Sequence, residues 1–184
     1  MSDIVKQEYD KAGNRIYVKH LSGLEKWWKY DKNGNCIHYL TSEGSGRWLK
    51  YDEVGNRIHE RHTDGSEYWY DEFGNCIHYR NSNGYEQWNE FNENGQMLIS
   101  YRKSDGGKGK YDELGCPIYH RLPDGREWFN IYDKNKRLIY SLQPSGYEEW
   151  RDYDQSGNFT TTYKIRDNLK KHESNPFILG YVSE

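Results

Sequence analysis

Apolar positions in this chain fall into short runs rich in Tyr, Trp and Ile, separated by polar steps that contain Gly. Runs of about five to seven residues with that composition predict β-strands. The runs recur with a fixed period. The aromatic that opens each unit falls at Tyr9, Tyr30, Tyr51, Tyr70, Phe91, Tyr111, Tyr132 and Tyr153, at intervals of 19 to 21 residues. A self-similar period near 20 is the mark of a repeat architecture, and no segment inside the array shows a helical period.

Each unit holds two turn signals. The first is Asp-x-x-Gly-Asn, as in Asp31–Asn35, Asp52–Asn56 and Asp71–Asn75. It fits a three-residue loop with Gly in the left-handed position. The second is a polar residue before Gly, as in Asp64-Gly65, Asn83-Gly84 and Asp124-Gly125, which suits a two-residue loop. Under that second rule Glu60 faces Trp69, Val18 faces Trp27, Tyr39 faces Trp48, Tyr79 faces Trp88, His120 faces Phe129 and Ser141 faces Trp150. The first rule puts Tyr39 opposite Trp27. Both place the Trp residues with Ile16, Ile37, Ile58, Ile77, Leu98, Ile118 and Ile139, so an Ile/Trp ladder is expected to be the packed face.

The predicted fold is all-β, an antiparallel meander of about eight hairpin repeats of about 20 residues forming a curved or coiled sheet. A closed propeller-like array is the alternative. Residues 1–8 read as a lead-in, 9–163 as the array and 164–184 as a C-terminal cap. That cap would hold a short helix over Asp167–Glu173, with Phe177, Ile178, Leu179 and Tyr181 covering the last hairpin. The fifth unit lacks the Trp, and its Pro117 predicts a bulge or a local edge. In the seventh, Lys136 replaces the turn Gly.

Only 34% of the 184 residues are hydrophobic and 30% are charged, yet 18 Tyr, 7 Trp and 5 Phe supply large rings to bury. A thin aromatic core is the consequence. The formal charge of −3 gives no basic footprint for direct nucleic-acid binding. No run approaches the roughly 20 apolar residues of a membrane helix. MSDIVKQEYD is not an export signal, so Cys36, Cys76 and Cys116 are expected to be reduced and the chain cytoplasmic.

Candidate chemistry is sparse. His38, His59 and His78 share one repeat position, with no converging set of three or four zinc ligands, so neither a metal nor any cofactor is expected. Gly106-Gly107-Lys108-Gly109-Lys110 lacks the following helix and hydroxyl residue of a phosphate loop and reads as a bulged or loose turn. No Ser or Cys has a nucleophile context, and the recurring Asp and Glu have turn and strand roles, so no enzyme is expected. What remains is a surface. The face opposite the predicted Ile/Trp ladder would carry Tyr17, His38, His59, His78, Tyr119 and Tyr140, with Arg61, Arg80 and Arg121 beyond them. Tyr70 joins these as a candidate contact residue. One rim gathers Asp52-Glu53, Asp71-Glu72 and Asp112-Glu113, where an acidic edge would capture a basic protein. Solubilising charge is the plainer use of the same residues.

The Tyr-Asp-x-x-Gly-Asn signature with a second Gly midway resembles the YD repeats of Rhs-type proteins, over about residues 9–163. The Gly-x-Glu-x-Trp half, as in Gly65–Trp69 and Gly146–Trp150, departs from the usual pattern. Short stand-alone arrays of this kind are similar to immunity proteins of polymorphic-toxin and contact-dependent growth-inhibition systems. The resemblance implies a monomer that binds a cognate toxin nuclease domain one to one and blocks its active site, with an EndoU-type RNase the first candidate. A carbohydrate-binding module that uses aromatic platforms and a structural scaffold are the alternatives.

Overall fold

A computed structural model of the chain describes residues 3–165. Sixteen strands follow one another: β1 (Ile4–Tyr9), β2 (Arg15–His20), β3 (Glu25–Tyr30), β4 (Cys36–Thr41), β5 (Gly46–Tyr51), β6 (Arg57–His62), β7 (Glu67–Tyr70), β8 (Cys76–Arg80), β9 (Glu86–Phe91), β10 (Leu98–Lys103), β11 (Lys108–Tyr111), β12 (Pro117–Arg121), β13 (Glu127–Tyr132), β14 (Leu138–Leu142), β15 (Tyr147–Tyr153) and β16 (Phe159–Ile165). Sheet order equals chain order. The fold is therefore the expected all-β hairpin meander, in one linear strand order and not the separate blades of a propeller. Two compact units divide it at Gln96 and Met97, with β1–β9 in the first and β10–β16 in the second. Residues expected as a lead-in supply β1. The helix and apolar cover expected beyond Asp167 lie outside the described residues.

Both kinds of turn have one geometry. In the first, Gly34 N donates to Asp31 O and Asp31 N to Asn35 O; in the second, Gly65 N donates to His62 O and His62 N to Ser66 O. Each is a three-residue loop whose Gly closes a type I turn in the left-handed region, at φ 86° for Gly34 and 90° for Gly65. Lys136 takes the same slot at φ 62°. A side chain there costs roughly 1–2 kcal/mol, partly offset by the extra freedom that Gly brings to the unfolded chain. Lys136→Gly is expected to stabilise the protein by about 0.5–1 kcal/mol, read as a rise in the thermal midpoint.

The Asp of the first turn explains its own recurrence. Asp31 Oδ1 accepts the Asn33 and Asn35 amides at 2.9 Å each, and Oδ2 accepts Asn35 Nδ2 at 3.0 Å. Asp10 and Asp154 repeat this with Asn14 and Asn158.

After six of these turns one residue is left out of the ladder, whereas β15 and β16 pair without a break. Lys29 pairs with His38 and Tyr30 with Cys36, skipping Ile37. Ile16, Ile58, Ile77, Ile118 and Ile139 are skipped in the same way. Each is the extra residue of a β-bulge. The bulge expected at Pro117 is present as one case of this general feature. A tyrosine from the next repeat satisfies the carbonyl that the bulge turns out: Tyr30 Oη donates to Arg15 O, Tyr51 Oη to Cys36 O and Tyr153 Oη to Leu138 O, each at 3.0 Å.

Together, the longer second loop and the bulge shift the register by one residue, and a one-residue shift exchanges the faces. Trp27 faces Tyr17, Trp48 faces His38, Trp69 faces His59, Trp88 faces His78, Phe129 faces Tyr119 and Trp150 faces Tyr140. The Ile/Trp packed ladder does not form. The Trp residues instead stand with the His/Tyr set, while Ile58 and Ile77 are exposed.

In the second unit this shared face is the core, where Tyr119, Phe129, Tyr140 and Leu142 are buried with Ile131 and Trp150 packed against them. In the first unit burial is thinner. It centres on Val18, Leu49 and the carboxylate of Glu60, which meets Arg47 at 3.1 Å, Arg57 at 2.6 Å and His62 at 2.9 Å.

Candidate functional site

Two surfaces of the first unit emerge from this register. The first is the Trp/His face. Across β6 to β9, His59, Trp69, His78 and Trp88 form one row of ring contacts, at centroid distances of 5.0, 4.3 and 4.9 Å, the first tilted and the other two stacked. Carboxylates clamp the imidazoles. His59 Nε2 donates to Glu67 at 3.0 Å and His78 Nε2 to Glu86 at 2.8 Å. Glu67 also binds Arg80, and Glu25 binds Lys19. At both imidazoles, the Glu two residues after the second Gly fixes the ring of the preceding strand.

His38 is the exception. Gly46 stands where its Glu would be, and a Cβ at Gly46 would lie 2.6 Å from Tyr39 O. His38 stacks on Trp48 at 5.0 Å with its Nε2 buried and unpartnered. Burial, aided by the charge of Lys29, holds its pKa below the ordinary 6.5. The turn aspartates are shifted too. The Asn35, Asn14 and Asn158 side-chain amides hold Asp31, Asp10 and Asp154 below the ordinary 3.8.

Both shifts make stability fall with acidity, in two stages. Unfolded His38 takes up a proton near pH 6.5 that the folded state resists, so stability begins to drop there. The depressed aspartates contribute stability above pH 3.8 and lose it as pH falls through their lower folded values. Thermal midpoints recorded from about pH 8 to about pH 2 should show both steps, and Asn35→Ala should shrink the second.

Within each unit the residues expected to form one partner-binding face do share a face, Tyr70 excepted, but burial and pairing take most of them out of reach. Tyr17 lies against Trp27 at 5.8 Å. His38, His59 and His78 are half-buried in ring contacts, and Arg80 is exposed but bound to Glu67. Arg61 is exposed on the same face. Tyr70 points to the other side, beneath Arg57 at 4.2 Å. In the second unit Tyr119 and Tyr140 are buried core residues, and Arg121 lies beside Glu127. Burial and the Glu127 carboxylate push the Tyr119 phenol up.

The second surface is the rim of first-type turns. Asp52 and Asp71 are consumed inside their turns, each accepting two backbone amides and an Asn side chain. In the second unit, taken by itself, Asp112 likewise accepts the Leu114 and Cys116 amides. Glu53, Glu72 and Glu113 are exposed. Beside them stand residues that the turn signals alone do not single out: Val54 is 83% exposed, Phe73 55%, and Leu114 is also exposed. An apolar residue in a polar turn slot is the signal that marks them. Phe73 rests on the next turn, since a Cβ on Gly95 would lie 2.4 Å from its ring, and Asn75 Nδ2 donates to Gly95 O at 2.7 Å. Within the first unit, Glu53-Val54 and Glu72-Phe73 thus stand on successive turns about 10 Å apart.

No family model matches the chain, and no curated protein matches it. Solved structures do. TcdB2-TccC3 without its hypervariable C-terminal region is similar over 87% of this chain and 10% of that one, at 14% identity and a TM-score of 0.48. The Photorhabdus luminescens Tc holotoxin pore with a TccC3 mutation is similar over 85% and 11%, at 15% identity and 0.45. TcdB2-TccC3-Cdc42 is similar over 88% and 13%, at 12% identity and 0.42. The chain therefore spans only a small part of the length of the structures it resembles.

Proposed function

We propose that this chain is a non-enzymatic immunity protein that binds the nuclease domain of a toxin and covers its active cleft. The observation that carries the reading is the rim: exposed Val54 and Phe73, each beside a glutamate with no ion pair among the described residues, on turns locked by internal hydrogen bonds. Large exposed apolar side chains on a rigid edge mark a contact surface. The neighbouring carboxylates select a basic partner and speed its capture. A nuclease cleft is such a partner, because it must hold phosphates. The YD-type repeat signature supports the same reading. The test is co-purification with the protein encoded immediately upstream, followed by an RNA-cleavage assay. A one-to-one complex that silences cleavage is expected. A neighbour that does not bind, or that cleaves unimpeded while bound, overturns the proposal.

A further inference from the structure

Three exposed cations, Lys29, Lys50 and Arg61, stand together on the Trp/His face of the first unit, where the one carboxylate opposite Arg61 is Glu67. Lys29 faces His38, His38 faces Trp48 and Trp48 faces Arg61, while Lys50 lies two residues from Trp48 and faces His59. None of the three has an ion pair among the described residues, whereas Lys19 and Arg80 on the same face are held by Glu25 and Glu67. Gly46, opposite Leu40, stands where the repeat elsewhere carries glutamate, so this face has one carboxylate fewer beside His38.

The same patch leaves its largest rings uncovered. Trp48 is 45% exposed and Trp27 37%. Trp48, Lys50, His59, Arg61 and Glu67 line a hollow of about 600 Å³, within the range of ligand sites. Glu67, its one carboxylate, is already bound to His59 and Arg80. Trp27 with Lys29 on β3 repeats the pairing of Trp48 with Lys50 on β5, two strands away, or about 10 Å.

From this arrangement we infer that the face binds single-stranded nucleic acid. Bases stack on Trp48 and Trp27, since every base offers a π-face to an aromatic platform. Lys29, Lys50 and Arg61 take the phosphates, Arg61 through its forked donors. A duplex hides its bases and does not fit the two platforms. The formal charge of −3 argues against such binding only as an average over the chain, and an acidic rim and a basic face are averaged in it.

The test is fluorescence anisotropy of a labelled eight-residue oligouridylate titrated with the whole protein. Neutralising about three phosphates of a single strand predicts a roughly 20-fold loss of affinity between about 50 and 200 mM salt. Lys50→Ala/Arg61→Ala, both exposed, should leave folding intact and flatten that dependence to about 2.6-fold. Trp48→Phe should weaken the oligonucleotide. Polyphosphate of equal charge should compete poorly, because it has no bases to stack. Phe73→Ala on the rim should change nothing, which separates this site from the toxin-binding reading. Absent binding at the lower salt, equal competition by polyphosphate, an unchanged affinity in the double variant, or stronger binding of an acidic oligosaccharide overturns the assignment.

Discussion

Phe129→Ala is expected to lower stability by about 3–4 kcal/mol, the cost of removing a buried aromatic and leaving a cavity. Phe129 is 5% exposed, among Tyr119, Tyr140 and Leu142. The comparison with Ile58→Ala gives the measurement its point. An Ile/Trp packed ladder would make Ile58 a core residue costing about 2–5 kcal/mol on truncation. As the exposed extra residue of a bulge, it should cost about 1 kcal/mol or less. Phe129→Trp, which imitates most other repeats, should recover most of the loss if the pocket accepts the larger ring. Urea midpoints of the three variants separate the two arrangements.

Glu60→Ala comes next, at about 2–3 kcal/mol. Glu60 is 3% exposed and holds Arg47, Arg57 and His62 around one carboxylate. Removing the shared anion of a buried cluster typically costs about 3–5 kcal/mol. The figure is lower here because the partner side chains are one-third to one-half exposed and water screens them. Arg47→Ala alone removes a mostly solvated partner and should cost less than about 1 kcal/mol. Glu60→Gln keeps the volume and tests charge against packing. A loss close to that of Glu60→Ala shows that the charge is what matters.

Much of the architecture is legible in the sequence because its signals are local. The repeat period, the strand number and the left-handed Gly slots all follow from residues within a few positions of one another. The faces are not legible, and the reason is specific. Asp64-Gly65 looks like a two-residue turn, but Thr63 joins the loop and Ser66 closes it. In the other hairpin, Ile37 is extruded as a bulge that its sequence does not announce. Each difference is one residue, and each moves the pairing the same way, so two wrong registers agree with each other. Agreement between rules that share a blind spot is not independent support.

The candidate surfaces are legible only in part. Glu53 and Glu72 stand on the rim as expected, and Arg61 is exposed on a face. Tyr119 and Tyr140 keep their face but are core and not contact residues, because Phe129, Leu142 and Trp150 pack with them there. Val54 and Phe73 escape a reading of turns for their Asp and Gly, because the two residues between those carry no weight in turn formation. The role of Gly46 depends on a cross-strand neighbour, so only the correct register reveals it.

The most direct measurement is calorimetric titration of the protein encoded immediately upstream, the proposed toxin, with the wild-type chain, with Phe73→Ala and with Glu53→Lys/Glu72→Lys. Contact through the rim predicts tight one-to-one binding, a roughly 30-fold loss for Phe73→Ala as a hot-spot ring of about 2 kcal/mol, and a loss for the charge reversal that fades at high salt. Both variants binding as tightly as the wild type would place the contact elsewhere and contradict it.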